Sequence, residues 1–380
     1  MVGGLAELMR IRKRITYAVC LPVLLTSCLF SDWLSFRGNP EGTGAADSKL
    51  SGDLKVKWTF DAKVEVFSTP ALANSRVFIG CTDKFICLDL ATGKLLWTFP
   101  VKGEIRSSAL FFEGKVYFGD DLGFFYALDA DTGKMLWKFE AEQKIISSPV
   151  RYRGNIIFGS YDGNLYALNL DSGKEVWRFT TDSPIHGSPA VAQGFVITAG
   201  CDGNLRFIKG DTGKEPGSAI ALESNIASSP AVHIDKVWLS SLTGKFVLAD
   251  GDTGKVLWEY FDEKNEQCYS SPALKGRDVV FGTNGGFLRC LNTSDGKLKW
   301  SFTAGGKIES SPVISGENVF FGSEDGKLYG VTLDNGKKCF EFDTGSPVPG
   351  SVAISGGKLV VGTSSGMIYC FGETGANEKR

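Results

Sequence analysis

Ala127–Trp137 reads A-L-D-A-D-T-G-K-M-L-W, and forty residues on Ala167–Trp177 reads A-L-N-L-D-S-G-K-E-V-W. The glycine of this phrase returns at Gly93, Gly133, Gly173, Gly213, Gly254, Gly296 and Gly336, at intervals of 40 to 42 residues, with a weaker copy at Glu373–Gly375. A fixed period of this length is the mark of a repeat architecture. Asp or Asn ahead of Thr/Ser-Gly lets a short side chain bond the local backbone, and glycine supplies the positive φ of a tight turn. The lysine keeps the turn in water. The tryptophan a few residues later offers a large flat surface to a neighbouring unit.

One unit can be read strand by strand. Ser147–Val150 opens a first strand, Ile156–Ser160 is an apolar second, and Asp162-Gly163 is a hairpin turn. Leu165–Leu170 forms a third strand, Asp171–Lys174 turns the chain, and Glu175–Phe179 is the fourth. Four short antiparallel strands in about forty residues make a propeller blade. Composition agrees: 47 glycines, 12% aromatics and 4 methionines suit many short strands joined by tight turns.

Two markers count the blades. The start of the first strand appears as Ser68-Thr-Pro, Ser107-Ser-Ala, Ser147-Ser-Pro, Gly187-Ser-Pro, Ser228-Ser-Pro, Ser270-Ser-Pro, Ser310-Ser-Pro and Gly350-Ser-Val. The fourth-strand aromatic appears as Trp58, Trp97, Trp137, Trp177, Trp258, Trp300 and Phe340, with Gly217–Ala221 as a degenerate copy. Both markers give eight, but a fourth strand at Val56–Phe60 precedes any first strand and the chain finishes on a third strand near Met367–Phe371. The sequence therefore predicts an all-β, eight-bladed propeller of four-stranded antiparallel blades, its ring closed by N- and C-terminal strands sharing one blade. Such closure removes exposed strand edges.

The first residues carry a different pattern. Arg10, Arg12, Lys13 and Arg14 precede an apolar run from Ile15 to Leu25, followed by L-T-S-C at Leu25–Cys28. A basic start, a short apolar core and small residues form an export signal, whereas a membrane span takes about 20 apolar residues. The domain reading is a signal peptide over 1–27, a tether over 28–55, the propeller over 56–372 and a tail over 373–380.

Charge and chemistry exclude several function classes. Forty-one basic and 43 acidic residues leave a formal net charge of −2 with no long run of either sign, so nothing is built to neutralise a nucleic-acid backbone. With only His186 and His233, a hydrolytic triad or histidine metal site has little to draw on. No Gly-Lys pair precedes Ser or Thr, so the simple phosphate-loop signature is missing. Of nine cysteines, Cys20 falls in the signal and Cys28 at its end, and the remaining seven cannot all pair. Cys87, Cys290 and Cys370 share the register of Ala127 and Ala167, where a cysteine serves as a small hydrophobe.

One position varies while its neighbours stay fixed. Immediately before the first-strand markers stand Phe67, Arg106, Ile146, His186, Ala227, Tyr269, Glu309 and Pro349, which should ring one mouth of the central channel. Phe67, Arg106, His186, Tyr269 and Glu309 give it a mixed aromatic and charged character of the kind that protein-binding hot spots favour. The turns at Tyr161–Gly163 and Glu324–Gly326 are expected on the same face.

The phrase A-x-D-x-x-T-G-x-x-x-W, complete at Ala127–Trp137 and nearly so at Ala167–Trp177 and Cys87–Trp97, is similar to the tryptophan-docking motif of quinoprotein propellers. D-W-L-S-F-R-G-N-P at Asp32–Pro40 also looks like the opening of these repeat proteins. The resemblance covers residues 32–375 and implies that Trp97, Trp137, Trp177, Trp258 and Trp300 lock adjacent blades. Leu25–Cys28 resembles the bacterial lipobox, which implies that Cys28 is acylated and anchors the chain to a membrane, the outer one where a cell has two. A lipid-anchored chain made of eight blades and little else looks most like the BamB family of outer-membrane β-barrel assembly. That resemblance implies a non-catalytic scaffold for envelope proteins, without a cofactor. Quinone-dependent dehydrogenases share the propeller, so a periplasmic oxidoreductase using pyrroloquinoline quinone (PQQ) with calcium is the alternative, and a glycan- or small-molecule-binding lipoprotein is a third. No Cys-Cys pair of the kind common over that quinone occurs, and the near-constant repeat interval leaves no room for a catalytic lid.

Overall fold

The structure, a computed structural model, describes residues 32–261 and 266–373. The signal peptide and Cys28 lie outside the described residues, as does the tail from 374 on. Eight antiparallel four-stranded sheets follow one another along the chain: blade 1 (71–100), blade 2 (110–140), blade 3 (150–180), blade 4 (190–221), blade 5 (231–261), blade 6 (273–303), blade 7 (313–343) and blade 8 (353–373). In blade 3 the strands are Val150–Tyr152, Asn155–Gly159, Asn164–Asn169 and Glu175–Thr180, within a residue or two of the sequence reading at most ends. Blade 8 takes its fourth strand from the other end of the chain. Leu54–Asp61 pairs antiparallel with Met367–Glu373 from Leu54↔Glu373 to Asp61↔Met367. The ring thus closes through a backbone ladder and not a covalent link, and the propeller begins at Leu54.

The core lies between the blades. The second and third strands are nearly all buried, and rings from successive blades stack face to face: Phe85 on Phe118 at 4.1 Å, Phe125 on Phe158 at 4.0 Å and Phe246 on Phe281 at 4.2 Å between centroids. The cysteine register behaves as small apolar packing. Cys87, Cys290 and Cys370 are fully buried, burial pushes their thiols up to about 12, and all seven cysteines from Cys81 to Cys370 are free.

The repeated phrase is a joint. Its glycine sits at positive φ with the preceding blade's indole packed flat on it. An ideal Cβ at Gly173 would stand 2.5 Å from Trp137 Cε3, and one at Gly133 would stand 2.6 Å from Trp97 Cε3. The indole N–H then donates across the joint to a carbonyl of the glycine's own blade, the next one along: Trp97 to Ala130, Trp137 to Leu170, Trp177 to Gly210, Trp258 to Thr293 and Trp300 to Leu333, at 2.8–3.2 Å. Trp58 does the same with Leu90. Only glycine fits here, for two reasons at once: the left-handed backbone and the lack of room for a side chain.

A second ring runs around the channel. The hydroxyl of the middle residue of each first-strand marker accepts the N–H of the corresponding residue one blade earlier: Ser108 N–H to Ser148, Ser148 to Ser188, Ser188 to Ser229, Ser229 to Ser271, Ser271 to Ser311 and Ser311 to Ser351. Ser351 to Thr69 and Thr69 to Ser108 close the circle. Buried N–H groups at the innermost strand ends need a partner, and this belt supplies one from the next blade.

Residues 33–46, within the segment read as a tether, are stitched across the inner strands. Trp33 exchanges both backbone hydrogen bonds with Leu72, and the carbonyls of Leu34, Pro40, Glu41, Thr43 and Gly44 accept from Phe111, Val191, Val232, Leu274 and Ile314. Ala45–Ala46 adds a short parallel strand to Val313–Ser315 of blade 7. Arg37 is buried beneath this crossing and donates to the carbonyls of Pro272 and Pro312 at 2.7 and 2.8 Å, and its burial pushes the guanidinium down to about 9.

Candidate functional site

The crossing segment turns one end of the channel into a floor. Above it lies a cup of about 310 Å³ whose walls include all eight of the variable pre-strand residues, Phe67, Arg106, Ile146, His186, Ala227, Tyr269, Glu309 and Pro349. The belt hydroxyls form its lower wall and Phe36 lines it from the floor segment. The repeat register explains the convergence. Each of these residues ends the connection into an innermost strand, and the belt hydrogen bonds fix the residue two positions further on.

The rim is chemically uneven. On the side of blades 2 to 4, Arg106 lies over the Phe67 ring at 4.8 Å and pairs with Glu104 at 2.7 Å. Lys144 lies over the Tyr161 ring at 4.2 Å, and the Tyr161 hydroxyl is hydrogen-bonded to His186 Nδ1 at 2.5 Å. His186 in turn is 6.2 Å from Tyr269 between ring centroids. Burial, reinforced by the charges of Lys144 and Arg106, holds His186 below the ordinary imidazole value, so it is neutral at pH 7 and its Nδ1 can accept from the tyrosine. On the opposite side, burial and the nearby Glu309 carboxylate push Glu324 up, against the opposing pull of Lys307. The mouth therefore presents a basic and aromatic arc facing an acidic one. The Tyr161 and Glu324 turns stand beside the residues with which the sequence placed them.

Sequence reasoning took the Ser-Ser-Pro marker only as a counting device and missed what its second hydroxyl does. The signal was present, because Thr or Ser occupies that position in every copy. It also gave no sign that residues 33–46 close the channel, since nothing in a loop-like stretch announces which distant carbonyl-to-amide bonds it will make.

A family model described as outer membrane protein assembly factor BamB matches residues 50–159, 123–267 and 265–377, which together span nearly the whole propeller. The chain belongs to the BamB family. An 83-residue stretch is 34% identical to BamB of Xanthomonas campestris pv. campestris, although that match spans only 20% of each chain. Among solved structures, BamB from Moraxella catarrhalis superposes with a TM-score of 0.71 at 16% identity, covering 84% of this chain and 99% of that one. Quinohemoprotein alcohol dehydrogenase from Comamonas testosteroni superposes with a TM-score of 0.78 at 15% identity, covering 90% of this chain and 80% of that one. At these identities the structural likeness speaks for the eight-bladed fold alone.

Proposed function

We propose that this member of the BamB family is a non-catalytic scaffold of the bacterial cell envelope, tethered to the outer membrane through an acylated Cys28, where it docks proteins of β-barrel assembly. The observation that carries the reading is the cup. Phe67, Arg106, His186, Tyr269 and Glu309 are brought from five blades to one rim, over a belt of hydrogen bonds that links each blade to the next. A charge-divided surface with aromatic and arginine side chains suits protein recognition, where such side chains supply most of the binding energy and complementary charge sets orientation. Photo-crosslinking from positions 106 and 269, in the lipidated protein in its own membrane, tests this. Recovery of a barrel-assembly component supports the reading, and labelling of none of them from either position counts against it.

The dehydrogenase-like fold raises a second reading, in which the channel holds PQQ with calcium. The donor set of this cup does not fit that group. Calcium takes six to eight oxygen ligands, carboxylates foremost, and Glu309 is the one carboxylate among the described residues lining the cup. Incubation with the quinone and calcium, followed by absorbance after gel filtration, would reverse this conclusion if the cofactor stayed bound.

A further inference from the structure

Among the described residues, six indoles dock on six turn glycines, and a seventh turn glycine has no partner. Gly254 adopts the same left-handed turn, φ +65°, yet nothing lies within 4 Å of where its Cβ would be. The cause is in blade 4, where Gly217 stands in the register held by Trp177 one repeat earlier, preceded by Pro216. Proline removes a ladder donor and glycine brings no side chain. The fourth strand shrinks to Ile220–Ala221, pairing only through Asn204↔Ala221 and Leu205↔Ile220, where blade 3 holds five registers. Among the described residues, Arg206–Ile208 has no ladder partner on its outer side.

What remains between blades 4 and 5 is an open slot of about 240 Å³, walled by Phe195, Phe207, Ile220, Gly251 and Gly254 with Ile234 at its rim. Phe207 replaces the small residue of this register and its ring approaches Gly251, so it takes up part of the space an indole would fill. The rest still exceeds the roughly 150 Å³ in which an engineered cavity binds benzene. By repeat position, the Gly251 carbonyl corresponds to the acceptors that receive the indole N–H from Trp97, Trp137 and Trp177.

The rim carries an independent sign. Ile234 sits at φ +58° and is 61% exposed. The equivalent turn uses Asn74, Glu113, Arg153 or Gln193 in blades 1 to 4 and Gly276, Gly316 or Gly356 in blades 6 to 8. A β-branched side chain is strained in this conformation, and an exposed isoleucine adds nothing to the core. It does extend the apolar surface of the slot outward, beyond what a small aromatic molecule would cover.

We propose that the slot between blades 4 and 5 is a docking site for an extended segment of a partner protein that inserts an aromatic side chain, tryptophan above all, where blade 4 lacks its own. The occupant follows from the fold's own template, since the same slot is filled elsewhere by an indole carried on an extended strand. The site is remote from the cup in repeat register and does not depend on the cup's reading.

The probe is a fluorescent peptide copying Lys174–Thr180, K-E-V-W-R-F-T, with its Trp→Ser version as control, titrated against the full chain in detergent by anisotropy. The tryptophan peptide should bind at least tenfold more tightly than the serine peptide. Gly217→Trp, which fills the slot from within, and Ile234→Asn, which keeps a turn-compatible residue but removes the apolar rim, should each weaken binding at least fivefold. Tyr269→Ala in the cup should leave it unchanged. Equal affinity for the two peptides, undiminished binding by a folded Gly217→Trp or Ile234→Asn protein, or loss of binding on Tyr269→Ala would each overturn the proposal. Because Ile234→Asn relieves strain, it keeps the test decisive even if Gly217→Trp does not fold.

Discussion

Replacing Gly173 with alanine asks how much the blade joint depends on the absence of a side chain. Two costs apply. The backbone stands at φ +66°, where an L-residue loses roughly 1–2 kcal/mol. The new Cβ would also lie 2.5 Å from Trp137 Cε3, too close for any real contact. The indole cannot simply swing away, because its N–H is bound to Leu170 and its ring packs on those of Tyr117 and Phe125, 5.8 and 6.1 Å away between centroids. Overpacking of this kind costs about 1–3 kcal/mol, giving a total of about 2–5 kcal/mol. Gly254→Ala is the internal control: φ is +65°, but the space is open, so only the roughly 1–2 kcal/mol of backbone strain applies. The gain from a stiffer unfolded chain is common to both and cancels in the comparison. For a domain of more than 300 residues, 1 kcal/mol moves Tm by about 1.5 °C. Differential scanning calorimetry should then show Gly173→Ala losing about 3–7 °C and Gly254→Ala about 1.5–3 °C. Equal losses would refute the claim that the indole, and not the turn alone, demands glycine.

Ser148→Ala leaves the buried Ser108 N–H without its acceptor and should cost about 1–3 kcal/mol by thermal unfolding, whereas Ser148→Thr should be tolerated because Thr69 holds the same place in blade 1. The thiols of Cys87, Cys290 and Cys370, buried and pushed up to about 12, should resist a maleimide at pH 8 in the folded protein and react after denaturation, with the half-buried Cys201 and Cys339 labelled first. His186 is held below its ordinary value of 6.5 in the folded state, so in that range the unfolded chain binds the proton more readily and stability falls as pH drops from about 7 through 6.5 toward the folded value. His186→Gln should therefore flatten the decline of Tm between pH 7.5 and 5.5, and an unchanged slope would show that this imidazole does not titrate in that window.

Much of this protein was legible in one dimension because its determinants are local and repeated. The Asp-Thr-Gly turn, the alternation of short apolar runs and the 40-residue period depend on neighbours in sequence, and eight copies average away the irregularities of any one. Even the variable ring could be read, since a residue placed before a fixed marker must share its location with its seven counterparts. What repetition could not show was how copies meet. Which indole lies on which glycine, and that Ser148 satisfies an N–H of the blade before it, are relations across 33 to 42 residues that only closure of the ring brings to hydrogen-bonding distance.

The sequence by itself determined an all-β ring of eight blades, the shared closing blade and the residues that would face its mouth. Tertiary structure alone decided that residues 33–46 floor the channel and that Arg37 is buried beneath them. It also turned a degenerate Gly217 into an open slot on the next blade. The reason is physical: turn and strand preferences are written in each residue's own backbone and side chain, while a cavity is defined by what its surroundings fail to fill.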